Sequence, residues 1–423
     1  MIIFLLAVFI RLIGNYFVEA TILHKPFIVS GEAFYKDRTP TTDTLNYKYT
    51  AKSLIEGHGY AVRFTDWEEA QADQNSRYPV EKYPWLNALF VKDADGYFKH
   101  KQVPPVYPLF LAVSLLLFGI STFSYFIPQV LLGGLSSVLV YLITKKKFNE
   151  KIAILAGLIT ALYPELIFTS YMVRVELLFI FLLLSCFWLL QGDYSKKNLY
   201  LAGLTGAILG LAVLTRLTLL FFVPIIFIWE YFCSGEKKAA KIKYLFILFV
   251  SFLFVLLPWA IRNYMVFGSF TIMTDEVGTI VTKIPLSEYN NSISTAPSYL
   301  LVWIKMILID PIDFLKESFY RFVLYLSPFT SYMNFSAKLL KGLSWLFVFP
   351  ASFLGMVLAA KRYWVSSGLI ILFILYYILM HSMSFVDRGL TYRYPILPFL
   401  SIFSAYGYWY IYDRFKQRKR GNK

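Results

Sequence analysis

Long apolar runs separated by short polar breaks fill nearly the whole chain. About 20 helical residues are needed to cross a hydrocarbon layer of about 30 Å. On that measure the pattern predicts ten spans, near 2–20, 123–143, 152–168, 175–191, 199–215, 217–232, 244–260, 340–360, 365–384 and 395–412. The run 105–119 (PVYPLFLAVSLLLFG) is shorter, opens in prolines and ends at Gly119. It is read as a helix lying in the interface. The opening MIIFLLAVFIRLIGNYFVEA has no basic start and no small-x-small cleavage site, so it reads as a retained first helix.

Two long segments join these spans, 21–122 and 262–339. Residues 45–56 have helical spacing and stop at Gly57-His58-Gly59. The stretch 61–103 is charged, with turn signals at Tyr78-Pro79 and Tyr83-Pro84. Residues 298–309 and 312–326 predict two amphipathic helices, split at Asp310-Pro311 and resting on the membrane surface. No internal repeat interrupts the pattern. The expected fold is an all-α polytopic membrane protein with about ten transmembrane helices. Its two structured outer loops would carry interfacial helices. One embedded domain, 1–423, would end in a basic tail at 413–423.

Composition supports this picture. Of 423 residues, 58% are hydrophobic and 16% charged, against roughly 45–50% and 25% in soluble domains. A soluble multidomain enzyme is excluded. The net charge of +15 would suggest nucleic acid in a soluble chain, but its placement decides otherwise. With the N-terminus inside, 18 Lys and Arg fall in the short loops 144–151, 192–198, 233–243 and 361–364 and in the tail. The two long segments are each neutral, with 11 acids and 11 bases in 21–122 and 6 of each in 262–339. The charge therefore reports orientation, with both termini cytoplasmic, and contact with anionic lipid, not a nucleic-acid partner. The expected location is the cytoplasmic (plasma) membrane. Cys186 and Cys233 form no metal-ligand spacing.

Ionisable groups gather at the outer ends of the predicted spans. Asp43 opens the first outer helix. Arg174 and Glu176 lie at the turn between the third and fourth spans. Arg216 lies between the fifth and sixth, Arg262 follows the seventh, and Arg388 and Arg393 precede the tenth. Carboxylates can deprotonate a hydroxyl or hold a cation, and guanidinium groups clamp phosphate. Interfacial anchoring accounts for any one of these residues, and less well for the set, because bases are disfavoured on this side. Arg11, inside the first helix, is expected to face another helix and to pair with an acid or with carbonyls. The histidines show no metal spacing, and no Gly-rich phosphate loop is present. Gly203, Gly206 and Gly210 read as helix packing.

Six segments, in order, resemble the GT-C superfamily of polytopic glycosyltransferases. That group includes the dolichyl-phosphate-mannose protein mannosyltransferases and the lipid A aminoarabinose transferases. The segments are Asp43, Tyr47, Ala51, Leu54 and Gly57; Pro104, Pro105, Tyr107 and Pro108; Tyr163-Pro164 followed by Glu176; Gly206, Gly210, Leu214, Thr215 and Arg216; Pro258, Trp259, Arg262, Asn263 and Tyr264; and Arg393, Tyr394 and Pro398.

The resemblance implies inverting transfer of a sugar from a polyprenyl-phosphate donor to a hydroxyl of a lipid, glycan or protein, with the active site facing outside. It makes Asp43 the general base and Glu176 an acid that positions acceptor or a divalent cation. Arg216, Arg262 and Arg393 would neutralise the leaving phosphate, with Tyr47, Tyr107 and Arg174 completing the substrate site. No cofactor is certain. A divalent cation, where one is used, would be held by Asp43 and Glu176. Asp43 is followed by Thr44 where many relatives carry Asp-Glu, which puts the cation in doubt. The large soluble domains of some protein-modifying relatives are absent, which tilts the expectation towards a lipid or glycan acceptor. A transporter or flippase is the alternative. It would require mid-membrane charges and interrupted helices in repeated halves.

Overall fold

The computed structural model describes residues 1–22, 42–63, 90–101, 103–191, 198–233, 238–272, 308, 310–329, 335–383 and 390–421. The turn signals at Tyr78-Pro79 and Tyr83-Pro84, Arg388, and the helix expected over 298–309 (Leu308 apart) lie outside these residues.

Helices stand at all ten expected positions. Helix α1 covers Ile2–Ile22, α4 Thr122–Lys147, α5 Glu150–Leu162, α6 Pro164–Phe168, α7 Glu176–Leu190, α8 Leu199–Val213 and α9 Val223–Cys233. Then α10 covers Lys238–Phe267, α12 Phe335–Arg362, α13 Trp364–Met383 and α14 Leu397–Gly421. Among the described residues four are long and apolar enough to cross a membrane, within α4, α10, α12 and α13. A fifth is added if α5 and the segment Pro164–Tyr171, bent by 54°, form one span. Of the others, α9 is shorter than its expected span because Leu217–Phe222 tightens into a 3₁₀ turn, and 3₁₀ turns also stand at Thr169–Tyr171 and before α14 at Leu390–Ile396. Helix α14 runs further than expected, because the Lys and Arg of the tail are good helix formers.

Between α1 and α4 lie α2, Thr42–Ile55, and α3, Val106–Phe118. Helix α2 ends where Gly57 and Gly59 adopt φ of +87° and +77°, a conformation that strains any residue with a Cβ. Helix α3 has 13 residues, about 20 Å, too short to span. It buries Tyr107, Leu111 and Leu115 and exposes Val113, Leu116 and Leu117, as an interfacial helix does. The all-α class gains one small addition, a three-stranded antiparallel sheet. Strands β1 (Ala61–Arg63) and β2 (Phe90–Lys92) flank β3 (Tyr97–His100), with Val62 opposite Phe98 and Val91 opposite Lys99. Helix α11, Pro311–Leu326, is capped by Asp310, whose side chain accepts from the Asp313 amide. It exposes Ile312, Leu315 and Phe319.

The core lies among α4, α5, α7, α8, α10, α12, α13 and α14. At Gly206 a Cβ would stand 2.1 Å from the Leu248 carbonyl oxygen, so only glycine lets α8 approach α10 this closely. Arg11 is buried, as the cost of an intramembrane charge requires. It donates from Nε to Ser170 Oγ at 3.1 Å and from Nη1 to the carbonyls of Ala7 at 3.0 Å and Ala161 at 3.3 Å. Its distant partners therefore lie on either side of the α5–α6 break. They are a carbonyl and a hydroxyl, not an acid.

Candidate active site at the helix ends

The site is built on interruptions. Pro164 has no amide hydrogen, so α5 cannot continue through it. Tyr163 caps α5 with extended ψ, and the chain turns through α6 and a 3₁₀ turn before α7 starts at Glu176. This turn brings Glu165, Arg174 and Glu176 to one end of the bundle. Arg216 follows α8 directly, and the Leu214 carbonyl there accepts from the Val106 amide of α3 at 3.3 Å. Arg393 lies in the 3₁₀ turn before α14.

Glu176 is buried between two guanidinium groups, Arg174 at 3.9 Å and Arg216 at 4.0 Å. The Arg216 guanidinium lies 4.7 Å above the Tyr392 ring. Arg393 donates from Nη2 to Glu165 Oε1 and from Nη1 to the Ser327 carbonyl at 2.5 Å. Both members of the Glu165–Arg393 pair are buried. Tyr394 is within electrostatic reach of Glu165, Arg393, Arg174 and Glu176, so the two clusters adjoin. Tyr47 of α2 meets Tyr107 of α3 edge to face, with centroids 4.8 Å apart. Gln129 Nε2 donates to the Tyr107 hydroxyl at 2.6 Å and to the Arg174 carbonyl at 3.1 Å. The aromatic pair is thus tied to the turn that carries Glu176.

Of the expected site residues, Tyr47, Tyr107, Arg174, Glu176, Arg216 and Arg393 are brought together. Asp43 falls in the first turn of α2, and its side chain lies outside the described residues. Arg262 is drawn elsewhere. It donates to the carbonyls of His100 at 2.8 Å and Tyr60 at 3.0 Å, and to Asn263 Oδ1 at 3.0 Å. Its guanidinium also lies 4.9 Å from the Trp259 ring and 5.3 Å from that of Tyr60. Its hydrogen bonds therefore pin the three-stranded sheet to α10. Thr50 Oγ1 of α2 lies 2.8 Å from His100 Nε2 in the same joint. Burial, and then the charge of Arg262, push the His100 imidazole down to about 3.

Glu165 and Gln129 were not singled out by the sequence. The usable signal was a carboxylate and an amide inside apolar runs, which cost free energy in a membrane unless they serve something. Glu165 lies inside the span expected over 152–168, so Arg11 has company as a charged residue within the predicted spans. Among the described residues no three His, Cys, Asp or Glu side chains gather to hold a metal ion. On its described side, Glu176 offers a dication poor ground, because two guanidinium groups already stand within 4.0 Å.

Residues 102–261 match the model of the dolichyl-phosphate-mannose-protein mannosyltransferase family. A curated relative, described as a putative mannosyltransferase YkcB of Bacillus subtilis, is 32% identical over 107 residues, covering 25% of this chain and 15% of that protein. Two solved structures share the fold. The oligosaccharyltransferase AglB of Archaeoglobus fulgidus, solved with an inhibitory peptide and a dolichol-phosphate, matches with a TM-score of 0.56 at 14% identity, over 99% of this chain and 51% of that one. ArnT of Cupriavidus metallidurans, bound to undecaprenyl phosphate, matches with a TM-score of 0.53 at 13% identity, over 87% and 56%. The chain spans about half the length of these structures. The fold is that of these two structures, residues 102–261 are similar to the mannosyltransferase family, and the long apolar helices are those of an integral membrane protein.

Proposed function

We propose that the protein is a glycosyltransferase that moves a sugar from a polyprenyl-phosphate donor to a hydroxyl acceptor at the outer face of the membrane, with inversion. The observation that carries this reading is the convergence of Arg174, Glu176, Arg216, Arg393 and Glu165 at one end of the bundle, beside α2 with Asp43 in its first turn. This cluster is cationic, buried and walled by tyrosines, which suits a phosphate whose charge grows as its bond to the sugar breaks.

In this reading Asp43 takes the proton of the acceptor hydroxyl. The acceptor oxygen attacks the anomeric carbon from the side opposite the phosphate. The new C–O bond forms as the old one to phosphate oxygen breaks, and the leaving group departs as polyprenyl phosphate. Arg216 and Arg393 stabilise the developing phosphate charge in a water-poor site. Arg174 offsets part of the charge of Glu176, which orients the acceptor. Tyr47 and Tyr107 form an apolar wall with polar tips, suited to a sugar ring. Arg262 acts through the sheet and α2 that it holds in place. No step requires a cation at Glu176. The acceptor is proposed to be a lipid or glycan, and both termini are proposed to be cytoplasmic.

The test is transfer by purified protein offered a panel of radiolabelled polyprenyl-phosphate sugars and a membrane extract, with wild type beside Asp43→Asn. Transfer by wild type that is lost in the variant is the expected result. Equal turnover would remove Asp43 as the base, and no turnover with any donor would favour a transporter.

A further inference from the structure

Glu165 and Arg393 are paired in a way that ordinary structural pairing does not explain. Both are buried, and Arg393 Nε makes no hydrogen bond, while Glu165 Oε2 has no close partner beyond its interaction with the neighbouring Tyr163 hydroxyl. A buried ion pair contributes little net stability even when every lone pair and proton is matched, and less when they are not. The Lys341 ammonium of α12 is within electrostatic reach of both, so two cations face one carboxylate. Arg393 is also the one charged residue lining an apolar cleft between α12 and α14, together with Trp345, Val348, Phe349, Leu397 and Leu400. Trp345 and Phe349 stack there at 4.3 Å. At about 20 Å³ the cleft holds no more than a water as it stands, so a tail enters only as α12 and α14 part, and the excess of positive charge beside it fits an anionic head. A phosphate has a further oxygen to offer Arg393 Nε, which makes no hydrogen bond while both Nη atoms are engaged.

From this geometry we infer that Glu165 is a built-in competitor for the phosphate of a tailed phospho-ligand. Its carboxylate holds Arg393 while the cleft is empty, yields it when a lipid phosphate arrives, and retakes it as the phosphate product leaves. The inference rests on the donor class proposed above. No bond is made or broken in the exchange, because one anion replaces another on the same guanidinium.

The test uses the full chain in detergent and reads binding of a sugar-free polyprenyl phosphate by thermal shift. Polyprenol and inorganic phosphate are run alongside. Glu165→Gln keeps the shape and removes the charge. Glu165→Asp keeps the charge and draws it back from Arg393. The expected result is binding about tenfold tighter in the Gln variant than in wild type, an intermediate gain in the Asp variant, and no shift with polyprenol or inorganic phosphate. Binding no tighter in either variant overturns the competitor role while leaving the donor reading intact. If the Gln variant does not survive purification, the Asp variant decides by the same comparison. A shift by inorganic phosphate or polyprenol alone overturns the tailed phosphate as ligand. A wild type that binds no polyprenyl phosphate overturns the donor reading itself.

Discussion

Lowering the pH should open the joint that holds α2 in place, and His100 is the reason. Its imidazole is buried against Thr50 and Tyr60, and Arg262 is the charged group facing it. Burial and that charge keep the ring neutral down to about pH 3, against an ordinary value of 6.5. Between those values the opened loop binds a proton that the closed one does not. The closed form is therefore fully favoured above 6.5 and loses stability as the pH falls. At pH 5 an unconstrained imidazole is about thirtyfold more protonated than neutral, which costs the closed joint about 2 kcal/mol. The full loss, reached near pH 3, is about 5 kcal/mol. Hydrogen exchange of the β1 and β3 amides at pH 7.5 and pH 5 reads this directly. Exchange should quicken about thirtyfold beyond the change in intrinsic rate, and donor turnover should fall with it. The His100→Gln variant should lose that pH dependence. A variant whose sheet opens with acid as steeply as wild type would refute the assignment to His100.

Gly206→Ala places a Cβ 2.1 Å from a backbone oxygen of α10, so it should cost about 1–3 kcal/mol of stability, seen as a lower Tm in detergent. Gly203→Ala, three residues earlier on α8, meets nothing nearer than 3.9 Å and should leave Tm unchanged or raise it. Gly133→Ala places a Cβ 2.4 Å from Arg11 Nε and should destabilise by a similar 1–3 kcal/mol, about what overpacking costs elsewhere, with faster exchange in Pro164–Tyr171. Arg216→Lys loses the planar fork over Tyr392 and beside Glu176. It should lower kcat about a hundredfold with little change in Tm.

Much of this candidate site could be read before any coordinates, because its charged residues lie at helix ends, where apolar runs visibly stop. Arg174, Glu176, Arg216 and Arg393 were legible in that way. Glu165 was not, because it sits two residues beyond Tyr163 inside what reads as a span, whereas Glu176 stands at the start of one. The fate of Arg262 could not be read either. Its partners Tyr60 and His100 lie 202 and 162 residues away and offer backbone carbonyls, which carry no side-chain signal. The small sheet escaped for a different reason. Its strands are three or four residues long, too short for an alternating pattern to stand out from a charged loop.

The Arg11 clasp has a consequence for biogenesis. The first helix leaves the ribosome with its guanidinium unanswered, apart from its own Ala7 carbonyl. The other two partners, at 161 and 170, are synthesised 150 and 159 residues later. Until then the helix cannot settle against lipid without a charge facing hydrocarbon. It must wait at the insertion machinery or slide towards a headgroup layer until α4, α5 and α6 have followed it in. Helix α1 is therefore secured only once residue 170 has been made, with α7 to α14 still to follow. A chain whose bent segment fails to form is left with a single exposed charge in the bilayer, a mark by which quality control can recognise it.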